Sequence, residues 1–196
     1  HIDYLWKIIE EGKQNKLSFK SELAGHLSNS FEVEDTNHWF FNNVLHELIS
    51  AFYDSNGGAH PKNSVESSFR SNFVVRLEKF WVNYQYKHEF NPPHNHSGLY
   101  AFVVWMKIPY SSKEQKKLKF LDGVKDVDKK AGDFEFVYTN LLGDISNYRY
   151  PMSPELEGTI LLFPAQFMHC VYPFYDCDEP RISLSGNLMI SPTSVY

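Results

Sequence analysis

Hydrophobic positions recur with two different periods along this chain, and the change falls near Arg70. Between Asp3 and Glu11, Leu5, Trp6, Ile8 and Ile9 recur at helical spacing, and Gly12 stands where such a helix would stop. A second helix is predicted from about His38 to Tyr53, because Phe40, Val44, Leu45, Leu48, Ile49 and Phe52 fall on one side of it. Asp54-Ser55-Asn56-Gly57-Gly58 ends it, and the polar stretch from Ala59 to Ser68 reads as a surface loop. Beyond Arg70 the pattern is that of strands: Phe73–Leu77, Phe80–Tyr84, Leu99–Ile108 closed by Pro109, Phe134–Tyr138, Thr159–Phe163, His169–Tyr172 and Arg181–Ile190. Ser111–Asp133 and Asn140–Glu157 mix scattered apolar residues with turn formers and are predicted to be long loops. Helices first and strands after argue for a mainly β fold, an antiparallel double-sheet roll with N-terminal helices on one outer face. We expect one domain over residues 1–196, with 1–70 as helical preface and 71–196 as β-roll core.

Composition narrows this reading. Hydrophobic residues make up 42% of the 196, enough for one well-filled core. Sixteen Phe and twelve Tyr suit sheets that bury large side chains. With 24 acidic against 19 basic residues the formal charge is −5, which leaves no electrostatic footprint for nucleic acid. The basic run from Lys113 to Lys119 is interrupted by Glu114 and Gln115 and reads as a solvated loop face. Cys170 and Cys177 do not make a disulfide framework, and neither a membrane-length apolar run nor an apolar signal core is visible. A reducing cytoplasm, and no membrane partner, is the expectation.

The candidate chemistry lies in three segments. In Asn91-Pro92-Pro93-His94-Asn95-His96-Ser97-Gly98 the prolines interrupt regular pairing just before two histidines, which in an extended chain project from one face. Alone, that pair is equally well a solvated turn. Thr159–Phe163 then ends at Pro164, and a short turn leads to His169, which returns from the same end as a third imidazole. Arg181 opens the last strand with Ser183 on its own face, a fork and a hydroxyl suited to a carboxylate. Without the histidines, Arg181 would read as a surface ion pair with Asp178 or Glu179.

These segments together resemble the iron(II)- and 2-oxoglutarate-dependent oxygenases, in the phage and bacterial type with the pattern NPPHxHxG…FPxxxxH…RxSxSxN. Here the pattern reads Asn91 to Gly98, Phe163-Pro164, His169, and Arg181-Ile182-Ser183-Leu184-Ser185-Gly186-Asn187. The resemblance implies a double-stranded β-helix (jelly roll, cupin-like), Fe(II) as metal, 2-oxoglutarate as cosubstrate and O2 as oxidant. It further implies hydroxylation of a C–H bond with release of succinate and CO2. His94, His96 and His169 would hold the metal, and Arg181 and Ser183 the far carboxylate of the cosubstrate.

One departure is plain: the superfamily usually has Asp or Glu two residues after the first histidine, where this chain has His96. Either His96 replaces that ligand or the metal has two protein histidines with His96 nearby, and Glu89 is a fallback ligand. Asn83 and Asn187 are candidates to bond the cosubstrate, since an amide in an apolar strand needs a partner. Tyr84, Tyr100 and Trp105 are candidate walls of the substrate pocket, with core packing the alternative. The substrate class left open is a small molecule or a peptidyl residue. Two further readings remain: a cupin-like metalloenzyme that does not use 2-oxoglutarate, and a non-catalytic jelly-roll binding module.

Overall fold

A computed structural model describes residues 1–57 and 73–192. The loop expected from Ala59 to Ser68 lies outside the described residues. Helix α1 (Ile2–Asn15) buries Leu5, Ile8 and Ile9 as its periodicity requires. Gly12 does not end it. The glycine sits inside the helix where a Cβ would come 2.6 Å from the Val33 side chain and 2.7 Å from the Glu32 carbonyl oxygen, so close packing, not termination, demands it. The helix stops at Lys16, in the left-handed region at φ 55°.

The second helical stretch contains a π-helical turn, Phe41–Leu45, and continues as α2 (His46–Ser55). The Asp35 carboxylate fixes its start by accepting from the amides of Phe40 (2.8 Å) and Phe41 (2.9 Å), and it also accepts from the Tyr4 hydroxyl of α1 (2.7 Å).

Among the described residues, nine strands follow or interleave: β1 (Asn29–Glu32), β2 (Phe73–Gln85), β3 (Asn91–His94), β4 (Tyr100–Lys107), β5 (Phe134–Thr139), β6 (Ile145–Tyr150), β7 (Ile160–Pro164), β8 (His169–Val171) and β9 (Arg181–Pro192). A short helix α3 (Ser112–Gln115) separates β4 from β5. All pairings are antiparallel, in a five-stranded sheet of order β1-β2-β9-β4-β7 and a four-stranded sheet of order β3-β8-β5-β6. The fold is mainly β with N-terminal helices, the jelly-roll class.

Several boundaries differ from the sequence reading. The two strands expected at Phe73–Leu77 and Phe80–Tyr84 are one, β2, and a register shift between Leu77 and Lys79 breaks the alternation that suggested two. The stretch read as helical preface contributes β1 as an edge strand, and the expected loop Asn140–Glu157 contains β6. That strand is an exposed edge carrying Ser146, Asn147 and Arg149, so it lacks the apolar alternation of a buried strand.

Alternation in the larger sheet sorts residues between two cores. Phe80, Val82, Tyr84, Tyr100, Phe102, Val104, Ile182 and Leu184 pack with Leu5, Ile8 and Leu45 of the helical layer. Ala101, Val103 and Trp105 instead pack against Phe134, Phe136 and Val171 of the smaller sheet. Among the described residues, no helix is long and apolar enough to cross a membrane.

Candidate functional site

Between the two sheets, at the end where β3 and β8 meet, lies a cavity of about 260 Å³. Its first component is a cluster of imidazoles. His94 closes β3 and is the cross-strand partner of His169, which opens β8. His96 lies just past the end of β3, held there by its amide donating to the Ala165 carbonyl (2.8 Å) and by Gln166 donating to its own carbonyl (3.1 Å). The ligand atoms of the three rings lie within 4.8 Å of one another.

Their tautomers follow from the backbone. A carbonyl can only accept, so Nδ1 of His94 donates to Pro92 (2.7 Å) and Nδ1 of His169 donates to Phe167 (3.0 Å). This leaves Nε2 of each ring as the free lone pair, and His96 Nε2 lies 3.2 Å from His169 Nε2. Burial, together with mutual repulsion, pushes His96 down to about 3 and His169 down to about 4, and burial lowers His94 as well. Three neutral imidazoles with ligand atoms this close could hold a metal ion and make a poor cationic cluster.

The second component is a polar ladder on the face of β2 and β9 that looks into the cavity. Its rungs are the pairs Gln85–Arg181, Asn83–Ser183, Trp81–Ser185 and Lys79–Asn187. Arg181 is only 5% exposed. Its guanidinium donates to the Tyr110 hydroxyl at 3.1 Å and to the Gln85 carboxamide oxygen. No carboxylate among the described residues pairs with it. The surface ion pair that an isolated Arg181 would suggest does not form, because Asp178 is taken by Lys87 and Glu179 by Lys107. A buried cation whose partners among the described residues are all neutral keeps its charge available to an anion.

Of the residues singled out from sequence, His94, His96, His169, Arg181, Ser183, Asn83 and Asn187 all line this cavity. Asn83 accepts from Ser30 Oγ at 2.9 Å, whereas Asn187 Oδ1 is buried with no hydrogen-bond partner among the described residues. The three aromatic wall candidates need correction. Tyr84 and Tyr100 have the opposite strand parity and pack in the helix-covered core. Trp105 faces the smaller sheet but is sealed against Phe134 and Tyr150 and does not reach the cavity.

Glu89 is likewise no ligand: its carboxylate accepts from the amides of Ser28 and Tyr86, each at 2.8 Å. Cys170 turns away from the histidines toward Glu135, its cross-strand neighbour. Sequence reasoning missed Gln85, Trp81, Ser185, Tyr110 and the Phe19–Leu27 segment that closes the cavity's far side. The period-two run Trp81, Asn83, Gln85 was a usable signal, since it continues the face of Asn83.

Residues 79–187, more than half of the chain, match the family described as "Putative 2OG-Fe(II) oxygenase". No curated protein sequence matches. Among solved structures, an oxidoreductase of the 2OG-Fe(II) oxygenase family from Burkholderia pseudomallei shares 14% identity over 62% of this chain, with a TM-score of 0.39. The match spans 46% of that protein, so this chain covers less than half of its length. A cupin domain from Bordetella pertussis Tohama I shares 12% identity over 63% of this chain and 97% of its own, with a TM-score of 0.30. By the family match, which takes in the three histidines and the whole polar ladder, this chain belongs to the "Putative 2OG-Fe(II) oxygenase" family.

Proposed function

We propose that the chain is an Fe(II)- and 2-oxoglutarate-dependent dioxygenase that hydroxylates a C–H bond, with His94, His96 and His169 as metal ligands. The observation that carries this reading is a trio of neutral imidazoles, ligand atoms within 4.8 Å, sharing one cavity with a buried guanidinium that has no carboxylate partner among the described residues. The donor set fits a first-row divalent ion, with His96 in the place where the family usually has a carboxylate. When bound, iron supplies oxidation of the substrate by O2, coupled to decarboxylation of 2-oxoglutarate to succinate.

The chain's own groups do the rest. Arg181 and Ser183 take the distal carboxylate of the cosubstrate, with the guanidinium held in advance by Gln85 and Tyr110. Gln85 is itself fixed by donating to the Glu89 carbonyl at 2.6 Å, and Tyr110 by donating to the Gly132 carbonyl at 2.9 Å. Phe134, Phe163 and Val171 keep the metal side of the cavity apolar and exclude water.

Succinate formation from 2-oxoglutarate, assayed with anaerobically loaded Fe(II) and then O2, tests the reading. Succinate released by the wild type and absent in His169→Ala is the expected result. A second reading, a cupin-like metalloenzyme without 2-oxoglutarate, draws on the third imidazole at the usual carboxylate position. Metal-dependent turnover that needs no 2-oxoglutarate would favour it.

A further inference from the structure

The polar ladder extends past the imidazole cluster in both directions, and only one direction leads to Arg181. The ring of His96 lies 5.8 Å from that of Trp81, which sets the cluster beside the Trp81–Ser185 rung. Arg181 stands two rungs away on one side, and Asn187 stands one rung away on the other. Rungs on one sheet face are about 6.7 Å apart. A cosubstrate stretched between the histidines and Arg181 therefore leaves the Asn187 arm vacant.

That arm is built for a ligand. Asn187 is 7% exposed and lines the cavity, yet its Oδ1 has no hydrogen-bond partner among the described residues. Trp81 is 2% exposed, and its indole Nε1 is unpartnered in the same way. Buried polar atoms left so are rare, because each forfeits its hydration. Charge at this end is cancelled: Lys79 Nζ lies 2.5 Å from Glu22 Oε2 and rests over the Phe19 ring, which stacks on Trp81 at 4.8 Å.

From these observations we infer that Trp81 and Asn187 form a substrate subsite for a neutral carboxamide, as in a peptide unit or an amidated side chain. The inference rests on the oxygenase reading for its meaning as a substrate site. The indole N–H donates to the amide carbonyl, and the Asn187 carboxamide oxygen accepts from the amide N–H. Because the two groups sit on successive rungs, a donor and an acceptor on separate atoms match them better than one hydroxyl does. A charged group would meet no free counter-charge beside Lys79 and Glu22. Asn187 thus moves from the cosubstrate arm, where sequence placed it, to the substrate arm.

The test needs neither metal nor turnover. In ¹⁵N-labelled protein, the Trp81 indole resonance is assigned by its loss in Trp81→Phe and followed during titration with N-methylacetamide, whose dimethyl analogue is N,N-dimethylacetamide. The resonance should shift saturably, the N,N-dimethylamide analogue should bind at least fivefold more weakly, and 2-butanol should not compete. Asn187→Leu should weaken N-methylamide binding at least fivefold while 2-oxoglutarate affinity stays within twofold, and Asn187→Asp, which keeps the acceptor, should bind the amide. A stationary Trp81 resonance, equal binding of the dimethyl analogue, preference for 2-butanol, or loss of 2-oxoglutarate affinity in Asn187→Leu would each overturn the inference. Amide binding by a wild type that binds no 2-oxoglutarate would instead remove the oxygenase reading and leave the amide subsite standing.

Discussion

The smaller sheet has two faces, and both bury ionisable groups. On the outer face, Glu135 is 2% exposed and meets Lys130 at 2.9 Å and Arg149 at 3.4 Å. Asp133 is fully buried beside Lys116 at 2.6 Å and Arg149 at 3.7 Å. On the inner face, His169 joins two further imidazoles, and across the cavity Arg181 has only neutral partners among the described residues. Both regions bury ionisable groups, but one meets opposite charge within the chain and the other, among the described residues, does not. Burial of charge therefore does not mark a functional site. Incomplete compensation around space does.

This contrast can be broken in four ways. The largest effect is expected from His169→Ala, which should lower affinity for divalent metal by at least 100-fold, read by isothermal titration with Zn(II) or Mn(II), without unfolding the protein. Retained stoichiometric binding would make the inner cluster mere packing. Next, Glu135→Gln should destabilise the fold by about 3 kcal/mol in urea, since it removes the buried carboxylate that Lys130 and Arg149 share, while leaving 2-oxoglutarate affinity unchanged. Arg181→Met should do the reverse: 2-oxoglutarate binding weakened by roughly 10–100-fold, the loss of a charge-assisted fork, with stability little changed.

The last test reads a slope: a difference in sign with pH. His96 and His169 titrate at about 3 and about 4 in the fold, below the ~6.5 of a free imidazole. Between about pH 4 and 6.5 the unfolded chain thus holds protons that the folded chain lacks. Stability of the metal-free protein should rise with pH across that window, by at most ~1.4 kcal/mol per pH unit for each ring, and level off above it. Asp133 is raised by burial, against the pull of Lys116, so just above its ordinary value the folded chain holds the extra proton and stability falls as pH rises. Urea melts from pH 4 to 8 should show the first slope vanish in a His96→Leu, His169→Leu variant and persist in Asp133→Asn.

Much of the inner face was legible in the sequence because its residues obey period two on strands with strong apolar partners. Arg181, Ser183 and Asn187 alternate along β9, and His169 leads a strand bounded by a proline turn. The helical layer was equally plain in Leu5, Ile8 and Ile9. What escaped was parity across distance. Tyr84 follows Asn83 by one residue and so faces the helices, a flip that no composition argument detects. Gln85 and Tyr110 escaped too, since their value lies in meeting Arg181 from elements remote in sequence. The outer network was invisible for the same reason, with Lys116 and Arg149 arriving at Asp133 from opposite directions along the chain.

The strand that carries His94 is poorly tethered. Pro92 and Pro93 lack amide protons, and β3 meets its neighbour only at Asn91 opposite Val171 and His94 opposite His169. An ion gripped by His94 and His169 would bridge the very pair that forms the last of these contacts, acting as a clasp on the sheet margin. Loading and fastening would then be one event, and the stretch around Asn91–Gly98 would resist protease cleavage better in the metallated protein than in the metal-free one.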